Sequence, residues 1–190
     1  MNFSANKNIE SLNNPEYKFL VSLKKNRNRK SSNKSISEGF RECYKLLDSN
    51  YEIDTLYFCS DLFIGENNKD LLDECEQENI RIVKVSEKVF KAMSYRDRPD
   101  GFIAVFNTRD LSLPDKINGP ILIPDQIEKP GNLGTMIRTA KSFGINNIFL
   151  SDEITDIFNP NVIRASIGHV FNMNIWSSSN NKIRDFLNSN

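Results

Sequence analysis

Short apolar runs alternate with helically patterned segments along almost the whole chain, and this alternation limits the fold more than any other feature. Residues 53–59 (IDTLYFC), 80–85 (IRIVKV) and 101–106 (GFIAVF) have the length and β-branched or aromatic content of strands. Between them, Leu71, Leu72 and Cys75 mark an amphipathic helix, and residues 86–93 a short one. Upstream, Phe40, Cys43, Tyr44 and Leu47 recur at i, i+3, i+4 and i+7 after Gly39, the stripe of a packed helix. Asn14-Pro15-Glu16 reads as an N-cap, a proline at the first helical position and a first-turn acid, opening a helix to about Arg29. Residues 35–37 form a short extended piece. Strands spaced by helices in this way predict an α/β fold with a largely parallel sheet.

Residues 107–119 (NTRDLSLPDKING) are polar and contain Pro114 and Gly119, so they read as a linker between residues 1–106 and 120–190. Beyond it come a strand at 120–124 (PILIP) and a helix over 132–143 stopped by Gly144. A strand at 147–151, a short helix from Val162, and a third strand over 170–176 follow. Ile183, Phe186 and Leu187 open a final helix. Three strands in this half leave a sheet edge uncovered, an aggregation liability.

Charge narrows the function. With 25 basic and 25 acidic residues the net charge is zero, which excludes a uniformly cationic nucleic-acid coat. The distribution is uneven: residues 1–50 carry 10 basic and 5 acidic side chains, and residues 51–90 carry 4 and 10. Lys24, Lys25, Arg27, Arg29 and Lys30 fall within a stretch free of acids, suited to collecting phosphates or simply to solvating a helix end. No apolar run approaches the ~20 residues of a membrane span, and the N-terminus lacks a signal-peptide core, so no membrane partner is expected. Cys43, Cys59 and Cys75 are an odd number without a CxxC pair, which reads as reduced thiols in the cytoplasm. A single histidine, His169, leaves no basis for a histidine metal site, and no metal is expected. Neither GxGxxG after a strand nor GxxxxGK[ST] occurs.

The chemistry concentrates between Asp125 and Phe171. A loop with Gly131 and Gly134 would let backbone approach a ligand, and Asn132 sits where helix N–H groups attract anions. Arg138 follows within two helical turns. Arg164 and Ser166 lie near a second strand-to-helix junction after Asn159-Pro160. Ligands of open α/β sheets bind at such carboxyl ends of strands, and arginine grips phosphate bidentately. The alternatives are structural: Asn132 as a cap, and Arg138 paired with Asp125 or Glu128.

The stretch PGNLGTMIRTAKSFG resembles motif 1 (N-x-G-x-x-x-R-T-A-x-x-F-G) of the SpoU, or TrmH-like, RNA ribose 2′-O-methyltransferases of the SPOUT superfamily, and NPNVIRASIGHVFNMNI resembles their motif 2 (N-P-x-x-x-R-x-S-x-G-x-x-F). SISEGFRECYKLL and RPDGFIAVF are similar to parts of the family's N-terminal domain. Lys129 stands where many relatives have Asp, Asp100 where Gln is common, and His169 where a small residue is usual. The resemblance implies a ribosomal-protein-like substrate-binding domain followed by a trefoil-knot α/β methyltransferase domain. It implies S-adenosylmethionine as cofactor, rRNA or tRNA as substrate, and a homodimer. Arg138 would be the principal catalytic residue with Asn132 supporting it, Arg164 would contact RNA or the neighbouring subunit's site, and Ser166 would line the pocket. The family's motif 3 has no counterpart in the fourteen residues after Trp176. The expectation is therefore an enzyme truncated before its cofactor segment, with a non-catalytic RNA-binding remnant as the alternative.

Overall fold

The computed structural model describes residues 7–66 and 68–189. The chain divides into two compact units, one through Thr108 and one from Arg109.

The first unit holds strands β1 (Lys7–Ile9), β2 (Lys34–Glu38), β3 (Ile53–Phe58), β4 (Arg81–Val85) and β5 (Phe102–Asn107), in the order β1-β4-β3-β5-β2. Its helices are α1 (Pro15–Ser22), α2 (Asn26–Ser32), α3 (Phe40–Leu47), α4 (Asn68–Gln77) and α5 (Glu87–Met93). The sheet is mixed rather than largely parallel: β1, β4 and β3 are mutually parallel, but β5 runs antiparallel to β3 and β2 antiparallel to β5. The seven-residue α5 and the loop after it do not cross the length of the sheet, so β5 starts at the end where β4 stops.

Period-two alternation sorts the side chains between faces. Ile36, Tyr57, Val83, Ile103 and Val105 share a core with Leu20 of α1, Leu23 just after it, and Val89, Phe90 and Met93 of α5. Facing the other way, Phe102 and Phe106 meet the rings of Phe40 and Tyr51.

The helix expected to reach Arg29 is broken at residues 23–25. Lys25 is extended (φ −94°, ψ 130°) and α2 starts afresh. The break is held from within. The Arg29 guanidinium donates to the Leu23 and Lys24 carbonyls (2.9 and 3.2 Å), and Asn28 Nδ2 donates to that of Ser22 (2.9 Å). A helix C-terminus leaves its last carbonyls without i+4 partners, and these side chains meet that need, Ser22 also accepting from Lys25 N (3.0 Å).

In the second unit, β6 (Ile121–Leu122), β7 (Asn147–Ser151) and β8 (Asn174–Ser178) form a parallel sheet in that order. Helices α6 (Pro130–Ser142), α7 (Pro160–Ala165) and α8 (Asn180–Ser189) accompany it. The third strand begins at Asn174, since His169–Asn172 coil into a 3₁₀ turn. Part of the expected linker belongs here. Leu111 accepts a bond from Ser177 N (2.7 Å) and Arg109 donates to the Met173 carbonyl (3.0 Å), so the segment guards the outer edge of β8 that the sequence left bare. Phe186 of α8 packs edge-on against Phe149 (5.4 Å), and Ile183 is buried.

Candidate active site

Pro130 occupies the first position of α6 behind an extended Lys129, which places Asn132 in the first turn. Leu133, Gly134, Ile137 and Ala140 are buried, whereas Asn132, Thr135, Arg138 and Thr139 are exposed. The candidate anion ligands thus share the outer side of a helix whose inner side is anchored. Six positions separate Asn132 and Arg138 by about 9 Å along the axis and about 120° around it, so the two side chains do not stack. Neither structural alternative for them holds. Lys129, not Asn132, is the cap residue, and among the described residues Arg138 makes no ion pair. Asp125 is engaged elsewhere, accepting the Ser151 hydroxyl (2.5 Å).

The two glycines do not play the expected part. Both lie inside α6 rather than in a loop, and a Cβ on Gly134 would sit 2.5 Å from Ala165 Cβ and 2.7 Å from the Val162 carbonyl oxygen. Gly134 is therefore where α6 crosses α7, a helix contact and not a ligand approach. Gly131 faces open space.

On α7, Asn159 caps the helix by accepting from Asn161 N (2.9 Å), and Arg164 is exposed in the last turn. Ser166 is fully buried and donates its hydroxyl to the Ile163 carbonyl (2.9 Å), so it braces the end of α7 instead of lining a pocket.

Sequence reasoning passed over a side-chain chain at the carboxyl ends of the strands. Ser151, closing β7, donates to Asp125 beyond β6 and accepts from Asn180 Nδ2 at the start of α8 (3.1 Å). Thr155 Oγ1 donates to the Glu128 carbonyl (2.6 Å), tying the loop before α6 to the segment after β7. The available signal was position alone, each residue falling at or just past a strand end.

The basic run of the first unit divides in two. Lys25, Arg27 and Lys30 are exposed without ion pairs among the described residues. Arg29 is only 3% exposed and is spent on the α1–α2 break, which removes it from the expected phosphate contacts. Lys24 is half-buried, donating to the Ser94 carbonyl (2.8 Å) and lying over the Tyr95 ring (4.9 Å), and burial lowers its pKa.

Comparison with known proteins follows this division. Residues 14–104 match the MRM3-like substrate binding domain and residues 119–190 the SpoU rRNA Methylase family. The chain is 30% identical over 171 residues to rRNA methyltransferase 3, mitochondrial, of Xenopus laevis, covering 85% of this chain and 39% of that protein. To the 23S rRNA (guanosine(2553)-2′-O)-methyltransferase RlmP of Bacillus subtilis it is 28% identical over 167 residues, covering 88% and 63%. It thus spans between two fifths and two thirds of these relatives. An AdoMet-bound rRNA methyltransferase from Sinorhizobium meliloti superposes with a TM-score of 0.82 at 25% identity, over 96% of this chain and 68% of that one. An RNA 2′-O ribose methyltransferase structure gives 0.79 at 28% identity, over 96% and 69%. The second unit, which carries both motifs on and just after α6 and α7, thus matches the SpoU rRNA Methylase family, and the first unit the MRM3-like substrate binding domain.

Proposed function

We propose that this chain acts in ribose 2′-O-methylation of RNA, with ribosomal RNA as substrate and S-adenosylmethionine as methyl donor. The observation that carries the reading is the outer side of α6: Asn132 and Arg138 stand exposed on a helix fixed by its other face. The Xenopus laevis and Bacillus subtilis relatives, both rRNA methyltransferases, support ribosomal RNA as the substrate. When bound, S-adenosylmethionine would supply an electrophilic sulfonium methyl group and leave as the neutral thioether, with the 2′-hydroxyl proton passing to solvent water. A guanidinium offers only donors and no acceptor, so Arg138 is unsuited to be a general base. Its part is to hold an adjacent phosphate and to stabilise charge developing on the 2′-oxygen. Asn132 offers an amide at the helix N-terminus, and Arg164 a further cation for RNA.

At the carboxyl ends of the strands, Pro124, Ile127, Leu133 and Leu150 line a depression of about 10 Å³, and Leu111, Leu113, Ser177, Ser178 and Lys182 a wider one of about 470 Å³. Only the second reaches the ~300 Å³ or more of a small-molecule site. The first, which is the one beside α6, is too small to enclose a cofactor, and this favours a second reading, RNA binding without turnover.

Exposed Phe143 and Ile154 in the second unit support a homodimer, which sedimentation of the purified chain tests. Three free, buried cysteines support a cytoplasmic setting, and no described helix is long and apolar enough to cross a membrane. The deciding experiment incubates the chain with unmodified rRNA transcript and methyl-tritiated S-adenosylmethionine. Alkali-resistant labelled dinucleotides are expected, with Arg138→Ala lowering the rate at least about a hundredfold. RNA binding with no label establishes the second reading.

A further inference from the structure

The loop over residues 94–100 joins α5 to β5 and is pinned to the rest of the first unit by a buried ionic cluster. Glu38, 5% exposed at the end of β2, accepts the Ser94 hydroxyl and the backbone N–H groups of Tyr95 (2.7 Å) and Arg96 (3.3 Å). The Arg96 guanidinium reaches back to the Glu38 carbonyl (2.7 Å), the Glu42 carboxylate (2.8 Å) and Asp100 (3.3 Å). Asp100 also accepts from Phe40 N, the first residue of α3 (3.0 Å). Gly39 between them has φ +110°, and a Cβ there would strike Arg96 and Glu42. On its other side the loop takes the Lys24 ammonium at Ser94 O, which ties it to the α1–α2 break.

Three segments are thus locked together: the α1–α2 break, the first turn of α3, and the loop. The buried charges within this lock are mostly acidic, yet what it leaves outside is basic. Arg41 follows Phe40, and Arg98 lies midway between the two pinned ends of the loop. Both are exposed and make no ion pair among the described residues. Lys25 and Arg27, at the break that Lys24 ties to the loop, are exposed as well, and Asp97 is the loop's one exposed carboxylate.

We propose that Arg41 and Arg98, together with Lys25 and Arg27, form a preorganised phosphate-binding platform for the backbone of a folded RNA. The inference rests on the RNA-directed reading above and adds two contacts remote in sequence from the basic run. Anchoring the backbone that carries the cations avoids the ordering cost that a mobile loop would incur on binding.

The test is fluorescence anisotropy of the chain with a labelled rRNA hairpin across a salt series. Arg41→Gln/Arg98→Gln is compared with Lys69→Gln/Lys84→Gln, which removes the same net charge elsewhere on the unit. The platform pair is expected to weaken binding about tenfold at low salt and to reduce the log–log salt slope by about 1.5, whereas the control pair leaves the slope unchanged. Wild-type slope and affinity in a folded Arg41→Gln/Arg98→Gln protein overturn the platform, and so does an equal loss in the control. If neutralising Lys25 and Arg27 still weakens binding in that case, RNA recognition by the unit stands without the platform. Failure of the wild-type chain to bind the hairpin overturns both.

Discussion

Replacing Gly134 by alanine tests the assignment of this glycine to a helix crossing. The new Cβ would lie 2.5 Å from Ala165 Cβ, 2.7 Å from the Val162 oxygen and 2.9 Å from Ser166 N. Carbon atoms rest about 3.5–4.0 Å apart, so α6 and α7 must part by roughly 1 Å. Two of the three obstacles are backbone atoms and cannot rotate away. Overpacking of this kind costs about 1–3 kcal/mol, and the better helix propensity of alanine returns at most about 1 kcal/mol. Gly131 in the same helix meets nothing within 4 Å, so alanine there keeps the propensity gain alone. In a unit of roughly 80 residues each kcal/mol moves the melting point by about 4–8 °C. The reporter is built in: Trp176, the chain's single tryptophan, lies in β8 of the same unit against Phe149. Thermal melts followed by its fluorescence should show Gly134→Ala several degrees below wild type and Gly131→Ala at or above it. A Gly134→Ala protein as stable as wild type would refute the crossing and return this glycine to the ligand role.

Other features of the first unit lend themselves to measurement. Glu16, held by Arg81 and Lys7, has its pKa lowered from 4.5 to about 2. Its contribution is therefore present above pH 4.5 and lost as pH falls toward 2, and Glu16→Gln should flatten the stability profile in that window; a profile of unchanged slope there refutes the pairing. Arg96→Met strands the buried Glu42 carboxylate and takes from Asp100 its cation, and should cost about 3–5 kcal/mol in urea unfolding, while a loss below 1 kcal/mol would show the cluster to be dispensable. Burial raises the pKa of all three thiols, that of Cys75 to about 12. Ellman's reagent should then react slowly with native protein and with three equivalents in denaturant; rapid native labelling contradicts the packing.

Periodicity exposed most elements because each has a face to bury. The stripe of Phe40, Cys43 and Leu47, and the alternation within β4 and β5, answer to neighbours a few residues away. Strand direction does not. Nothing in GFIAVF distinguishes a strand antiparallel to β3 from a parallel one, since both bury the same alternating side chains. The basic run misled for a related reason. Arg29 reads like Arg27, but one faces water and the other supplies the end carbonyls of a broken helix, a need that exists only once the break has formed.

The motif on α6 shows most clearly how function and packing share one stretch of sequence. Asn132 and Arg138 face outward, while Gly134 and Ala140 face inward. The outer pair is held exposed because the inner pair seats the helix, Gly134 against α7 and Ala140 in the core. In the sequence both pairs are fixed letters of a single pattern, and spacing alone ranks them equally. The distance from each residue to its nearest neighbour separates them: 2.5 Å from the Cβ that Gly134 lacks to Ala165, and no ion partner among the described residues for Arg138. Substitutions on the inner side should therefore be read in stability and those on the outer side in binding or rate. A variant that loses activity together with its fold says nothing about catalysis.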